Sequence, residues 1–197
     1  MKIFIGFIFI YTTISCSYKQ YDMAGCVRDA MTKADSLRNV GVNALEEWKK
    51  CVIGKNLPDF TVRTLSNERF SISNLKGKII VINFWFAGCA PCIAEMPGLN
   101  RLVSEYGDRE IVFLAVSPEP PQYIKENFLT KHRLDFKIVP EANKIIENIM
   151  ASGYPTTYFI DKSGIIKEAF NGGEIDESAG DIFFNKSKLI IEKLLAE

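Results

Sequence analysis

Residues 79–86, Ile-Ile-Val-Ile-Asn-Phe-Trp-Phe, carry no charge and a single polar side chain. A strand with one wet face alternates apolar and polar residues. A short unbroken run of β-branched and aromatic residues instead suits a strand covered on both faces. Residues 111–117 form a second such run. Between them, 90–106 reads as a helix with Met96, Leu99, Leu102 and Val103 on one side. These elements define a layered α/β domain built on a central mixed sheet.

The flanking sequence extends the pattern. Residues 60–63 make a short strand, and 70–72 a second extended piece. Lys76-Gly77-Lys78 is a turn. Pro120 and Pro121 open a helix reaching about His132, since proline is tolerated in a first helical turn. A strand at 136–139 and a helix at 142–151 follow. Strands at 156–161 and 165–170 flank the turn Asp161-Lys162-Ser163-Gly164 as a hairpin. An amphipathic helix over 178–195 closes the domain.

Upstream, residues 17–21 are polar and read as a tether, and 22–53 reads as helix. Met23, Val27, Ala30, Ala34 and Leu37 form one apolar stripe. Residues 39–43 interrupt it, with Gly41 a helix stop, and Ala44, Leu45 and Trp48 resume it. In one unbroken helix Cys26 and Cys51 would stand about 37 Å apart. A hairpin turning near Gly41 brings them together, and a structural disulfide between them is expected; two free thiols or a second redox pair are the alternatives.

The start of the chain has a charged Lys2, an apolar run too short to span a bilayer, and Thr13-Ile14-Ser15-Cys16. This resembles a bacterial lipoprotein signal over residues 1–15, with Cys16 as the acylated residue. A plain cleaved signal peptide is the alternative. Residues 16–55 then form a lipid-anchored tether and helical extension, and 56–197 the main domain. The localisation expected is extracytoplasmic and membrane-anchored. With 24 basic and 24 acidic residues there is no charge excess to hold a nucleic acid. The single histidine, His132, excludes His-rich metal sites; flanked by Lys131 and Arg133, it reads as exposed and non-catalytic. No cofactor or metal is expected.

The chemistry concentrates at Cys89-Ala90-Pro91-Cys92, between the buried strand and the helix. Cys89 then stands at a helix N-terminus, exposed, where unpaired N–H groups and the positive dipole end favour a thiolate. Thiolate is the attacking species in disulfide exchange. Cys92, one turn on, can resolve the mixed disulfide. Half of a zinc site lacks a second ligand pair, and haem c attachment would need His where Ile93 stands. A purely structural disulfide is the remaining alternative.

Residues 80–85 followed by the cysteine pair resemble the thioredoxin superfamily. Cys92-Ile93-Ala94-Glu95-Met96-Pro97 is similar to its TlpA/ResA-like extracytoplasmic branch, and Asn83, standing where cytoplasmic thioredoxins carry a buried acid, agrees. Far downstream, 153–161 resembles the family's cis-proline loop. The resemblance covers residues 56–197. It implies a thioredoxin-like fold with a central mixed β-sheet flanked by helices, here with an N-terminal helical extension. It also implies a thiol-disulfide oxidoreductase, a cis Tyr154–Pro155 bond beside the cysteines that receives a peptide segment, and a carboxylate, Glu95, that shuttles the Cys92 proton. The partners it implies are disulfide-bearing proteins and a membrane thiol donor, in the reducing direction, as in cytochrome c maturation. Trp85 is expected to support the active loop by packing.

Two rival readings fit parts of the sequence. A peroxide reductase would need a Pro-x-x-x-Thr-x-x-Cys run, and residues 84–89 contain neither proline nor threonine. A redox-inert binding or chaperone module would use the cis-proline groove alone.

Overall fold

The computed structural model describes residues 23–36, 43–149 and 153–197. The signal segment and Cys16 lie outside the described residues, as do Gly41 and the connection at 37–42.

The sheet has the order β5-β4-β3-β6-β7. At its centre is β3 (Ile79–Phe84), every residue of which is buried. It pairs parallel with β4 (Ile111–Val116), which pairs parallel with β5 (Lys137–Val139). On its other side it pairs antiparallel with β6 (Thr156–Ile160), the first arm of a hairpin to β7 (Ile166–Asn171). The sheet is therefore mixed. The period of two sends alternate β3 side chains to opposite faces. Ile79 and Val81 join a core with α3 (Ala90–Tyr106) and α6 (Ala179–Ala196). Ile80, Ile82 and Phe84 join a second core on the opposite face.

That second core is closed by a helical hairpin. Helices α1 (Met23–Ser36) and α2 (Ala44–Val52) pack together. Cys26 and Cys51 are disulfide-bonded, with Cα atoms 5.6 Å apart, and Lys33 pairs with Glu47. Helix α2 lies against β7 of the sheet. Asn43 caps α2 by accepting the Leu45 N–H at 2.9 Å. Trp48, almost wholly buried, reaches Tyr158 of β6 at a ring separation of 6.0 Å. The chain leaves α2 along the edge of β7, where Gly54 N–H donates to Ile166 O and Ile166 N–H to Lys55 O.

Several elements end elsewhere than their sequence indicates. Strand β3 stops at Phe84, two residues short of the apolar run. Trp85 N–H still donates to Val116 O at 3.1 Å before the chain turns. Ile72 belongs to a 3-10 turn, Ile72–Leu75, after β2 (Arg69–Ser71), which pairs with β1 (Thr61–Arg63). The helix expected up to His132 is one turn, α4 (Pro121–Tyr123), running into a π-helical stretch, Ile124–Phe128. The wider turn, with Leu129 N–H donating to Ile124 O at 2.9 Å, buries both Ile124 and Phe128. Helix α5 spans Asn143–Ile149. His132 is half-buried rather than exposed. Its ring lies 4.8 Å from Phe128, which lies 4.5 Å from Trp85.

Helices α3 and α6 meet backbone to backbone at Gly98 and Gly180. A Cβ at Gly98 would collide with the Gly180 carbonyl, so only glycine permits this approach. Arg101 extends the seam, pairing with Asp181 and lying 3.9 Å over the Phe184 ring. Gly98→Ala is expected to force the helices apart and lower stability by about 1–3 kcal/mol, as overpacking does; urea unfolding checks it.

Candidate active site at the start of helix α3

Cys89 is the N-cap of α3, with φ −85° and ψ 98°. Its sulfur accepts the Cys92 N–H at 3.2 Å, one of the donors a helix start leaves without an internal partner. Pro91 occupies the first turn, where its missing N–H costs nothing. Cys89 and Cys92 are disulfide-bonded with Cα atoms 5.2 Å apart. In this oxidised form Cys89 is not exposed as its helix-start position suggested. It is 4% accessible against 1% for Cys92. Cys89 N–H donates to Phe86 O at 3.1 Å, closing a tight turn before the helix. Its chain neighbours Gly88 and Ala90 are both exposed.

The loop before Cys89 is held from two directions. Ala87 N–H donates to Glu119 Oε1 at 3.2 Å, and Glu119 N–H donates to the buried Ser117 hydroxyl. Phe86 packs edge-on against Tyr154 at 5.1 Å. The Tyr154–Pro155 bond is cis, and the structure brings this loop beside that of the cysteines. Burial raises the Tyr154 hydroxyl above its ordinary pKa, and the Glu119 charge raises it further. Glu119 was not singled out in the sequence. Its signal was positional: it follows the second buried strand, and the carboxyl ends of neighbouring parallel strands share one edge of a sheet.

Glu95 lies one turn beyond Cys92 and is buried. Burial pushes its carboxyl up to about 8, with Lys186 opposing the shift. One oxygen, Oε2, has no hydrogen-bond partner. The other faces Gly173, where any Cβ would collide with it and lie 3.5 Å from Pro155 Cγ. Gly173, also absent from the sequence reading, therefore makes room for the acid beside the cis-proline. The carboxyl lines a groove of about 550 Å³ shared with Leu45 and Trp48 of α2, Phe170 of β7 and Phe183 of α6. Asn83, in the sheet interior, donates to the Thr157 hydroxyl at 2.9 Å, which satisfies that buried amide group. Trp85 is fully buried and packs on Phe128. No group of three or more His, Cys, Asp or Glu that could hold a metal is found among the described residues.

A mixed sheet with helices on both faces, and a Cys-x-x-Cys disulfide at the junction of its central strand and a helix, define a thioredoxin-like redox protein. Comparison with known proteins agrees. The chain belongs to the AhpC/TSA family, which matches residues 53–169, and it is an enzyme, a thiol-disulfide oxidoreductase. It is 32% identical to thiol-disulfide oxidoreductase ResA of Bacillus cereus over 130 residues, covering 66% of this chain and 75% of that one. It is 35% identical to the thioredoxin-like protein YneN of Bacillus subtilis over 121 residues, covering 60% and 71%. The fold is similar to the thioredoxin domain of a thiol-disulfide oxidoreductase from Bacteroides vulgatus, with TM-score 0.58, 22% identity and coverage of 71% and 97%. It is also similar to the exposed lipoprotein thioredoxin Etrx1 of Streptococcus pneumoniae, with TM-score 0.50, 23% identity and coverage of 66% and 99%.

The raised Glu95 value has a definite sign in stability. The native carboxyl holds its proton up to about pH 8, whereas the unfolded one releases it near 4.5. Between those values the native state binds more protons, so stability falls as pH rises, with a slope approaching about 1.4 kcal/mol per pH unit. Denaturant unfolding from about pH 5 to about pH 9 is expected to show this decline in the parent and a flatter profile in Glu95→Gln.

Proposed function

We propose that the protein reduces disulfides in partner proteins outside the cytoplasm, with Cys89 as nucleophile and Cys92 as resolving thiol. The observation that carries this is the Cys89 sulfur at the N-cap of α3, accepting the Cys92 N–H. The same donor and the helix dipole stabilise a thiolate there once the disulfide is opened.

In the reduced protein the Cys89 thiolate attacks one sulfur of a substrate disulfide. The substrate's other sulfur leaves as thiolate and takes up a proton. Cys92, deprotonated, then attacks Cys89, releases the second substrate thiol and closes the Cys89–Cys92 bond. Two electrons have passed to the substrate. Glu95 takes the Cys92 proton in its ionised fraction: a buried carboxyl held near 8 releases and rebinds a proton in the range where a thiol titrates. Tyr154 and Pro155 receive the substrate backbone next to the cysteines. The oxidised protein is reduced again by a membrane thiol donor.

An extracytoplasmic place is supported by the charged and apolar start of the chain, by the disulfide in the helical extension, and by the lipoprotein nature of the pneumococcal relative. In this reading residues 1–15 are a signal, Cys16 carries the lipid, residues 16–55 are tether and extension, and 56–197 form the catalytic domain. No described helix is long and apolar enough to cross a membrane.

Turbidity of insulin, followed with a thiol reductant, is expected to rise faster with the protein present. With Cys89→Ser it should fall to the rate of the reductant alone, and Cys92→Ser should accumulate a mixed disulfide on Cys89. Equal rates for parent and Cys89→Ser refute the chemistry, and peroxide consumption in the same assay would point to peroxide reduction instead. Metabolic labelling with a fatty acid tests the anchor: the parent is expected to carry label and Cys16→Ala none.

A further inference from the structure

The second disulfide has a feature that a purely structural cross-link does not need. Lys55 Nζ lies 3.3 Å from Cys26 Sγ and 3.3 Å from Cys51 Sγ. One cation thus contacts both sulfurs of one bond. The two cysteines differ sharply in access: Cys26 is 1% exposed, whereas Cys51 is half-buried. Lys55 itself is half-buried and anchored by its backbone to β7, since its carbonyl accepts the Ile166 N–H at 2.9 Å. Its own N–H donates to Val52 O at the end of α2 at 3.2 Å, so the ammonium is held where the helix that carries Cys51 meets the sheet.

We propose that Cys26–Cys51 is a second thiol–disulfide exchange centre, entered at Cys51, with Lys55 stabilising the thiolate that leaves. The proposal goes beyond the Cys89 reading and does not rest on it. The reacting partner is a dithiol. Its thiolate attacks Sγ of Cys51, the less buried of the two residues, and the Cys51–Cys26 bond breaks. Cys26 leaves as a thiolate 3.3 Å from the Lys55 ammonium. The partner's second thiol, as thiolate, then attacks its own sulfur in the mixed disulfide and releases Cys51 as a thiolate against the same cation. The partner ends as a disulfide, and two electrons have moved to the Cys26/Cys51 pair. A thiol whose anion is stabilised leaves faster, and a neighbouring lysine is a recognised source of that stabilisation.

This centre works apart from Cys89. Lys55 sits beside Ile166, at the end of β7 that pairs with Ile160, and Ile160 pairs with Ile80 at the start of β3. Cys89 follows the far end of β3, and a strand of that length spans about 17–20 Å. The two pairs do not meet, so each exchanges with partners from solution.

The test uses the full chain with Cys89→Ser and Cys92→Ser, which leaves Cys26–Cys51 as the disulfide to be read. Dithiothreitol is added to the native protein at about pH 7, where a lowered thiol pKa matters. Samples are quenched with N-ethylmaleimide, and the peptides bearing Cys26 and Cys51 are weighed. The pair is expected to open without denaturant. Lys55→Gln should slow opening about tenfold and Lys55→Arg restore it, as the leaving-group argument requires. Partial unfolding of Lys55→Gln would speed opening, so a slower rate cannot come from damage. A second reading needs no lysine variant: alkylation of the reduced pair should reach half its maximal rate at a pH below the free-cysteine value of about 8.5. Three results would each overturn the proposal: opening only in urea, equal opening rates with and without Lys55→Gln, or half-maximal alkylation at or above about pH 8.5. Insulin reduction by the otherwise native protein carrying Lys55→Gln should stay at the parent rate, which separates failure here from failure at Cys89.

Discussion

Strand β3 is sandwiched between two cores, and the position of the Cys89–Cys92 pair follows from that burial. Its odd-numbered apolar residues Ile79 and Val81 belong to the α3–α6 layer, and Ile80, Ile82 and Phe84 to the layer closed by α2 and α5. A slip of one residue would exchange the two sets, so the register is strongly constrained. Because Trp85 remains bonded to Val116 beyond the strand end, the chain leaves the sheet at one place only. Cys89 is then delivered to the start of α3, and the Gly98–Gly180 contact holds that helix close against α6.

The chemistry of the site is set by what surrounds its polar groups. Asn83 and Thr157 satisfy each other and stay neutral at any working pH. Glu95 is the contrasting case, with a desolvated carboxyl, an oxygen without a hydrogen-bond partner, and proton release displaced toward the range where thiols titrate. Glu119 does a different job: it accepts the Ala87 N–H and so fixes the turn from which Cys89 emerges.

Much of this was legible in the residues because local and long-range signals agreed. The uncharged run at 79–86, the Cys-x-x-Cys at its end and the Gly-Tyr-Pro-Thr segment at 153–156 located strand, helix start and opposing loop. Helix boundaries were harder where tertiary packing decided them. Ile124 and Phe128 stand four apart, as they would in an α-helix, so their spacing does not announce the π-turn that seats them. The low accessibility of Cys89 comes with its place in the core shared by α3 and α6, which is a property of the folded chain. Gly173 and Glu119 were hidden because each acts on a residue far away in the chain: Glu95 for the first, Ala87 for the second.

The helical hairpin that precedes the domain also reaches the carboxyl near the cysteines. Leu45 and Trp48 of α2 form one wall of the groove in which Glu95 lies, and Phe170 and Phe183 form others. That wall is supplied by a segment that carries none of the sheet. A protein of the same architecture lacking such a hairpin would hold a wetter carboxyl, quicker to ionise. In this chain, then, a pair of helices that carries none of the reacting sulfurs of α3 helps set the acidity of a carboxyl on that helix.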